Sequence, residues 1–214
     1  MNKLETDFLK DKYFNDNYVI KKVIKKHNHK IIYLITCKEN TYICKVRTLN
    51  NDIHHEINIF NLFKTEKSEY IANYIEYKKR DSYIYFIIEY INGVELFDYI
   101  KNVQHDNDLI ELYKNIFECI KFIHDKNILH CDIKSNNIII DTNNKPKLID
   151  FDLARLTDDG SYLSDKIFGT ISYLSPESYD LGIYTKYSDI WSVGIMIYIN
   201  ITKKYPFDTN ISVI

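Results

Sequence analysis

Ile128-Leu129-His130-Cys131-Asp132-Ile133-Lys134-Ser135-Asn136-Asn137-Ile138-Ile139-Ile140 is followed, after a short turn, by Lys147-Leu148-Ile149-Asp150-Phe151-Asp152. Apolar runs flank a polar loop, so the stretch reads as strand, loop, strand, with a further strand delivering a second carboxylate. Asp132, Lys134, Asn137 and Asp150 are thereby four polar groups able to converge on one charged ligand. The set suits a transferring phosphoryl group, which needs metal ions to neutralise oxygen charge and a carboxylate to orient the attacking hydroxyl. Asp132 is suited to accept the hydroxyl proton, and Lys134, two residues on, faces the same side of an extended loop. Asn137 and Asp150 offer oxygen donors of the kind Mg²⁺ takes beside waters and phosphate oxygens.

Two later segments follow in order: Gly169-Thr170-Ile171-Ser172-Tyr173-Leu174-Ser175-Pro176-Glu177 and Ser188-Asp189-Ile190-Trp191-Ser192-Val193-Gly194. Together the four segments resemble the eukaryotic-type serine/threonine protein kinase family, whose patterns read H-R-D-x-K-x-x-N, D-F-G, G-T-x-x-Y-x-A-P-E and S-D-x-W-S-x-G. The resemblance implies an α+β, bilobal fold: a β-rich N-lobe, and a helical C-lobe truncated after its central helix. It implies ATP and Mg²⁺ as cofactors, Asp132 and Lys134 as catalytic residues, and Asn137 and Asp150 as metal ligands. The substrate it implies is a protein with a Ser or Thr acceptor, since Lys134 with Thr170 resembles the Ser/Thr subclass.

On this reading residues 1–17 are a polar lead-in, 18–91 the N-lobe and 92–214 a partial C-lobe. Tyr18–Ile24, Ile31–Thr36 and Tyr42–Val46 read as strands, as do Ile71–Tyr77 and Tyr83–Tyr90. Asn51 is a plausible N-cap for a helix carrying Ile53, Ile57 and Phe60 at helical spacing. Leu96–Val103 and Asp108–Asp125 read as helices, and Ser188–Ile199 as the buried central one. Tyr42-Ile43-Cys44-Lys45 resembles the V-A-I-K strand, so Lys45 is implied at the α- and β-phosphates and Glu56 as its ion-pair partner. The resemblance also implies that Phe60 packs with Phe151 and His130. Glu89-Tyr90-Ile91-Asn92-Gly93 resembles the hinge, with Glu89 and Ile91 beside adenine, Ile88 as gatekeeper, Glu95 at the ribose, Ile43 as pocket roof and Ile139 as floor.

The chain departs from the family in three places. The phosphate-covering loop, Ile24-Lys25-Lys26-His27-Asn28-His29-Lys30-Ile31-Ile32, has Lys25, His27 and Lys30 where three glycines belong, and glycine alone takes positive φ without steric cost. Asp152 stands for the last glycine of D-F-G, and Cys131 for the Arg that receives a phosphorylated activation loop; activity independent of loop phosphorylation is therefore expected. Lastly, the sequence ends at Ile214, before the family's last helices, leaving Glu177 without its usual Arg and inviting a partner chain to complete the C-lobe.

Composition narrows the alternatives. A net charge of −2 gives no electrostatic case for nucleic acid. The four cysteines form no C-x-x-C pair, and no signal peptide or long apolar run is evident, so a reduced, cytoplasmic or otherwise intracellular setting without membrane is expected. His27/His29 and His54/His55 lack the companion ligands of a zinc site. An active kinase is the leading reading, a pseudokinase scaffold the alternative, and a sugar or lipid kinase the third.

Overall fold

The structure, a computed structural model, describes residues 3–50, 52–103 and 105–207. It divides into two compact units: the chain up to His54 with Phe60–Ser68 and Ala72–Ile91, and His55–Ile59 with Glu69–Ile71 and the chain from Asn92 onward.

The first unit is built on an antiparallel sheet of β1 (Val19–Lys26), β2 (Lys30–Cys37), β3 (Asn40–Thr48), β4 (Tyr74–Lys79) and β5 (Tyr83–Glu89), in the order β1-β2-β3-β5-β4. Period-two alternation sorts its side chains by face. Ile31, Tyr33 and Ile35 of β2, Cys44 and Val46 of β3, and Tyr83, Tyr85 and Ile87 of β5 share one face. Two short helices, α1 (Lys3–Phe8) and α2 (Lys12–Asn17), close that face with Leu4, Phe8 and Phe14. The segment expected as a polar lead-in is thus part of the core: Phe8 and Phe14 are fully buried. Asp11 fixes it in place. Its carboxylate caps α2 through the Phe14 N–H (3.0 Å) and accepts from Arg80 Nε (2.7 Å) and the Tyr83 hydroxyl (2.8 Å). On the other face, Phe60 of α3 (Ile53–Thr65) packs edge-on against Tyr74 and Tyr77. The proposed cap Asn51 lies outside the described residues; Asp52 precedes the helix without a side-chain capping bond.

The second unit begins with β6 (Gly93–Glu95) and α4 (Leu96–Tyr99), and is dominated by α5 (Asp106–His124). The apolar stripe of α5, Leu112, Ile116, Cys119, Ile120 and Ile123, is buried. Asp106 and Asp108 in its first turn and Lys121 and His124 in its last match the helix dipole. β7 (Ile128–Leu129), β8 (Ile138–Asp141) and β9 (Pro146–Leu148) follow, then β10 (Arg155–Leu156), β11 (Ser161–Leu163), α6 (Pro176–Leu181), β12 (Ile183–Thr185) and α7 (Lys186–Thr202). The pairings β6-β8-β9, β7-β10 and β11-β12 fix the loops between them. Thr185 and Ser188 form a capping box that starts α7 at a defined residue. Among the described residues no helix is long and apolar enough to cross a membrane.

Candidate active site

The loop between β7 and β8 is held from beneath by one buried carboxylate. Asp189 of α7, 2% exposed, accepts from the backbone N–H groups of His130 and Cys131 and from His124 Nε2, each at 2.9 Å. A buried charge needs such a donor set, and this one pins the loop just before Asp132, letting Cys131 take a left-handed φ of 63°. His130 Nδ1 accepts the Asp132 N–H at 3.3 Å, so Nε2 carries the ring proton and donates to the Ile149 carbonyl at 3.1 Å. The His130 ring lies 5.0 Å from that of Phe151. Phe60, in the first unit, packs its ring against Tyr74, Tyr77 and Phe86.

Above this floor the polar groups close into a network. Lys134 Nζ lies 2.7 Å from Asp132 Oδ2 and 2.7 Å from Thr170 Oγ1, and the Thr170 hydroxyl donates to Asp132 Oδ1 at 2.6 Å. Asn137 Nδ2 donates to the Asp132 carbonyl (2.8 Å) and to Oδ2 (3.0 Å). With its amide nitrogen committed to Asp132, Asn137 presents its amide oxygen as the remaining donor atom, a hard ligand suited to Mg²⁺. The Ile149 N–H donates to the Asn137 carbonyl at 3.0 Å, bringing the segment after β9 that carries Asp150 alongside. Gly169 permits the approach of Thr170: its φ is +104°, and a Cβ there would stand 2.7 Å from the Cys131 carbonyl oxygen.

The departures from the family resolve locally. No residue from Lys25 to Lys30 has positive φ; the loop closes as a tight hairpin in which the His27 N–H donates to the Lys30 carbonyl at 2.8 Å. Asp152 does not need the freedom of glycine either, because the left-handed residue of its turn is Asp150, with φ 63°. Burial, reinforced by the Asp189 carboxylate, pushes the Cys131 thiol well above its ordinary range, so it stays neutral. Glu177 is not left uncompensated: Ser188 Oγ donates to Oε1 at 3.0 Å. Burial raises its pKa, yet hydrogen bonds from Ser175, its own backbone and Ser188 outweigh that and hold it below the ordinary value.

The residues expected at the nucleotide lie in both units. Ile31 points into the core under α1 and is fully buried, and Lys26, directly across from it in the β1-β2 register, pairs with Glu5 of α1 at 2.6 Å. Strand alternation sends both to the face away from Ile32 and Lys45, which removes them from a ligand-facing set. Ile24, Lys25, His27, Asn28 and His29 are exposed, Lys30 and Ile32 half-buried, and the His27 and His29 rings stack at 6.3 Å. Lys45 is 3% exposed, with Nζ 5.4 Å from the Phe86 ring centre, and Glu56 on α3 is fully buried. Glu89 Oε2 accepts from Asn73 Nδ2 (2.7 Å) and N–H (2.9 Å), and Ile91 is buried. Glu95, opposite the half-buried Ile139 in the β6-β8 register, accepts from Asn136 Nδ2 at 2.6 Å. Sequence reasoning assigned no role to Asp189 or Asn73. An Asp inside the apolar run of α7 was the available signal, since burial there demands partners.

An Aurora kinase of Eremothecium gossypii is 28% identical over 201 residues, covering 90% of this chain and 54% of the relative. The serine/threonine-protein kinase Nek5 of Mus musculus is 29% identical, with 91% and 32% covered. Calcium-dependent protein kinase 4 of Plasmodium falciparum is 31% identical, with 93% and 35% covered. The chain therefore spans about half or less of the length of these relatives. The Protein kinase domain family model matches residues 15–213, and the chain belongs to the protein kinase family.

Proposed function

We propose that this chain is a serine/threonine protein kinase that hands the γ-phosphoryl group of ATP to a Ser or Thr hydroxyl of a protein. The observation that carries the reading is the closed network in which Asp132 meets Lys134, Thr170 and Asn137. Asp132 orients the acceptor hydroxyl and takes its proton, and Lys134 steadies negative charge on the migrating group. Asn137 and Asp150 would hold Mg²⁺, which neutralises phosphate charge when bound. Lys45, with Glu56 as its partner, would hold the α- and β-phosphates, while Glu89, Ile91, Glu95 and Ile139 would frame the nucleoside.

A second reading, a pseudokinase that binds a partner, draws support from the glycine-free hairpin, where Lys26 is engaged by Glu5 and Ile31 is buried away from the ligand face. Thermal shift with Mg-ATP separates the two, because ligand binding raises apparent stability by mass action. The kinase reading expects wild type and Asp132→Asn both to gain about 3 kcal/mol at a hundredfold excess over Kd, with phosphoryl transfer to a Ser/Thr peptide lost only in the variant. No shift and no transfer in wild type would overturn it in favour of the scaffold.

A further inference from the structure

Arg155 lies in the activation segment, the stretch from Asp150 to Glu177, and is 4% exposed. Burying a guanidinium is costly unless its donors and faces are matched. Nη1 donates to the carbonyls of Leu153 (3.0 Å) and Ala154 (3.1 Å). The guanidinium carbon lies 5.0 Å from the ring centre of Tyr162 and 4.6 Å from that of Phe168, within cation–π range of both. One cation thus joins three separated points of the segment, while β10 pairing places Arg155 opposite Leu129, two residues before Cys131.

Phe168 carries the constraint onward. Its ring stacks on Tyr184 at 4.1 Å and 15°, and the Tyr184 hydroxyl both accepts from its N–H and donates to its carbonyl, each at 2.8 Å. Gly169 and Thr170 come next, so fixing Phe168 fixes the approach of the Thr170 hydroxyl to Asp132, 2.6 Å away. Cys131, small and neutral, is buried in the same cluster with Leu129 and Tyr184, against Tyr162 and Phe168. The loop hydroxyls are occupied in local turns: Thr157 Oγ1 with the Asn127 carbonyl, Ser161 with Asp159, Ser164 with the Lys166 carbonyl.

From this we propose that Arg155 is a positioning residue: clamped on Tyr162 and Phe168, it orders the activation segment and assembles Asp132, Lys134 and Thr170 without a phosphate. The kinetic part of the inference rests on the kinase reading above; the ordering part does not. The test uses the full chain, phosphatase-treated, as wild type, Arg155→Met and Arg155→Lys, followed by hydrogen exchange and peptide phosphorylation.

Loss of two desolvated cation–π contacts should speed amide exchange in residues 161–170 by about tenfold in Arg155→Met, while α5 keeps its protection. The kcat should fall by about tenfold with the KM for ATP within about twofold, and Arg155→Lys should recover part of both effects by restoring the cation. Unchanged exchange in 161–170, or an equal loss of protection in α5, overturns the clamp. It is overturned as well if phosphorylation at Thr157, Ser161 or Ser164 raises wild-type kcat and Arg155→Met abolishes that gain, for Arg155 would then be a phosphate receiver. If wild type transfers no phosphate but the exchange difference appears, the kinase reading fails and the clamp stands.

Discussion

Thr170 Oγ1 occupies a position only a hydroxyl fills: it donates to a carboxylate oxygen of Asp132 and accepts from the ammonium of Lys134. Each bond is charge-assisted, the class that contributes roughly 1.5–3 kcal/mol apiece. Removing the hydroxyl frees Asp132 and Lys134 to collapse into a plain ion pair, 2.7 Å apart already. Under the kinase reading, Thr170→Ala should cut kcat by about 10- to 100-fold, and Thr170→Ser should restore most of it. A steady-state assay on a Ser/Thr peptide reads this directly. Loss in KM alone, or no rescue by Ser, would mean that the hydroxyl positions substrate and leaves Asp132 unaffected.

At the level of elements, legibility followed length and periodicity. The strands β1 to β3 and β5, and the helix α5, were evident within two residues at each end, and α7 within three, because each of these elements runs for seven residues or more. The segment over residues 1–17 was not. Its helices have six residues each, under two turns, and their buried side chains, Leu4, Phe8 and Phe14, sit among charges with no repeating spacing. What orders them is tertiary: Phe8 meets Phe14 at 4.5 Å, Tyr33 at 5.4 Å and Tyr85 at 5.6 Å. The same limit hid the sidedness of the loop from Ile24 to Ile32, because the resemblance fixes position along the chain while strand register decides that Lys26 and Ile31 face α1. The loop from His130 to Asn137 was legible because its residue types follow from the chemistry proposed for it; Asp189 left only the signal of a carboxylate in an apolar helix, and Arg155, which acts through folding, left none. Phe8→Ala should therefore cost about 3–5 kcal/mol, measured by denaturant unfolding. A change below about 1 kcal/mol, the range of exposed positions, would show that the segment is not core.

Across the whole molecule the tyrosines record how much of the chain is sealed from water. Of 19 in the sequence, at least seven among the described residues have raised pKa values, and burial is the leading cause in each. Tyr33 and Tyr173 are pushed to about 12; Tyr18, Tyr83 and Tyr85 go higher still, and the Tyr85 hydroxyl is buried without a hydrogen-bond partner among the described residues. A phenol whose folded pKa exceeds its unfolded value of about 10 favours the native state fully at lower pH. That contribution drains away as pH climbs from the unfolded value through the folded one, because the unfolded chain gives up protons the native chain retains. Both units carry such groups, Tyr18, Tyr33, Tyr83 and Tyr85 in the first and Tyr113, Tyr173 and Tyr184 in the second, so alkali should undermine both. Phenolate absorbance should then rise in two steps: phenols open to water ionising reversibly near pH 10, and the sealed group only with the loss of helical circular dichroism. A single reversible step near pH 10 that leaves the dichroism intact would mean that water reaches these rings in the native state, and the packing of Tyr33, Tyr83 and Tyr85 with Phe8 and Phe14 would have to be abandoned.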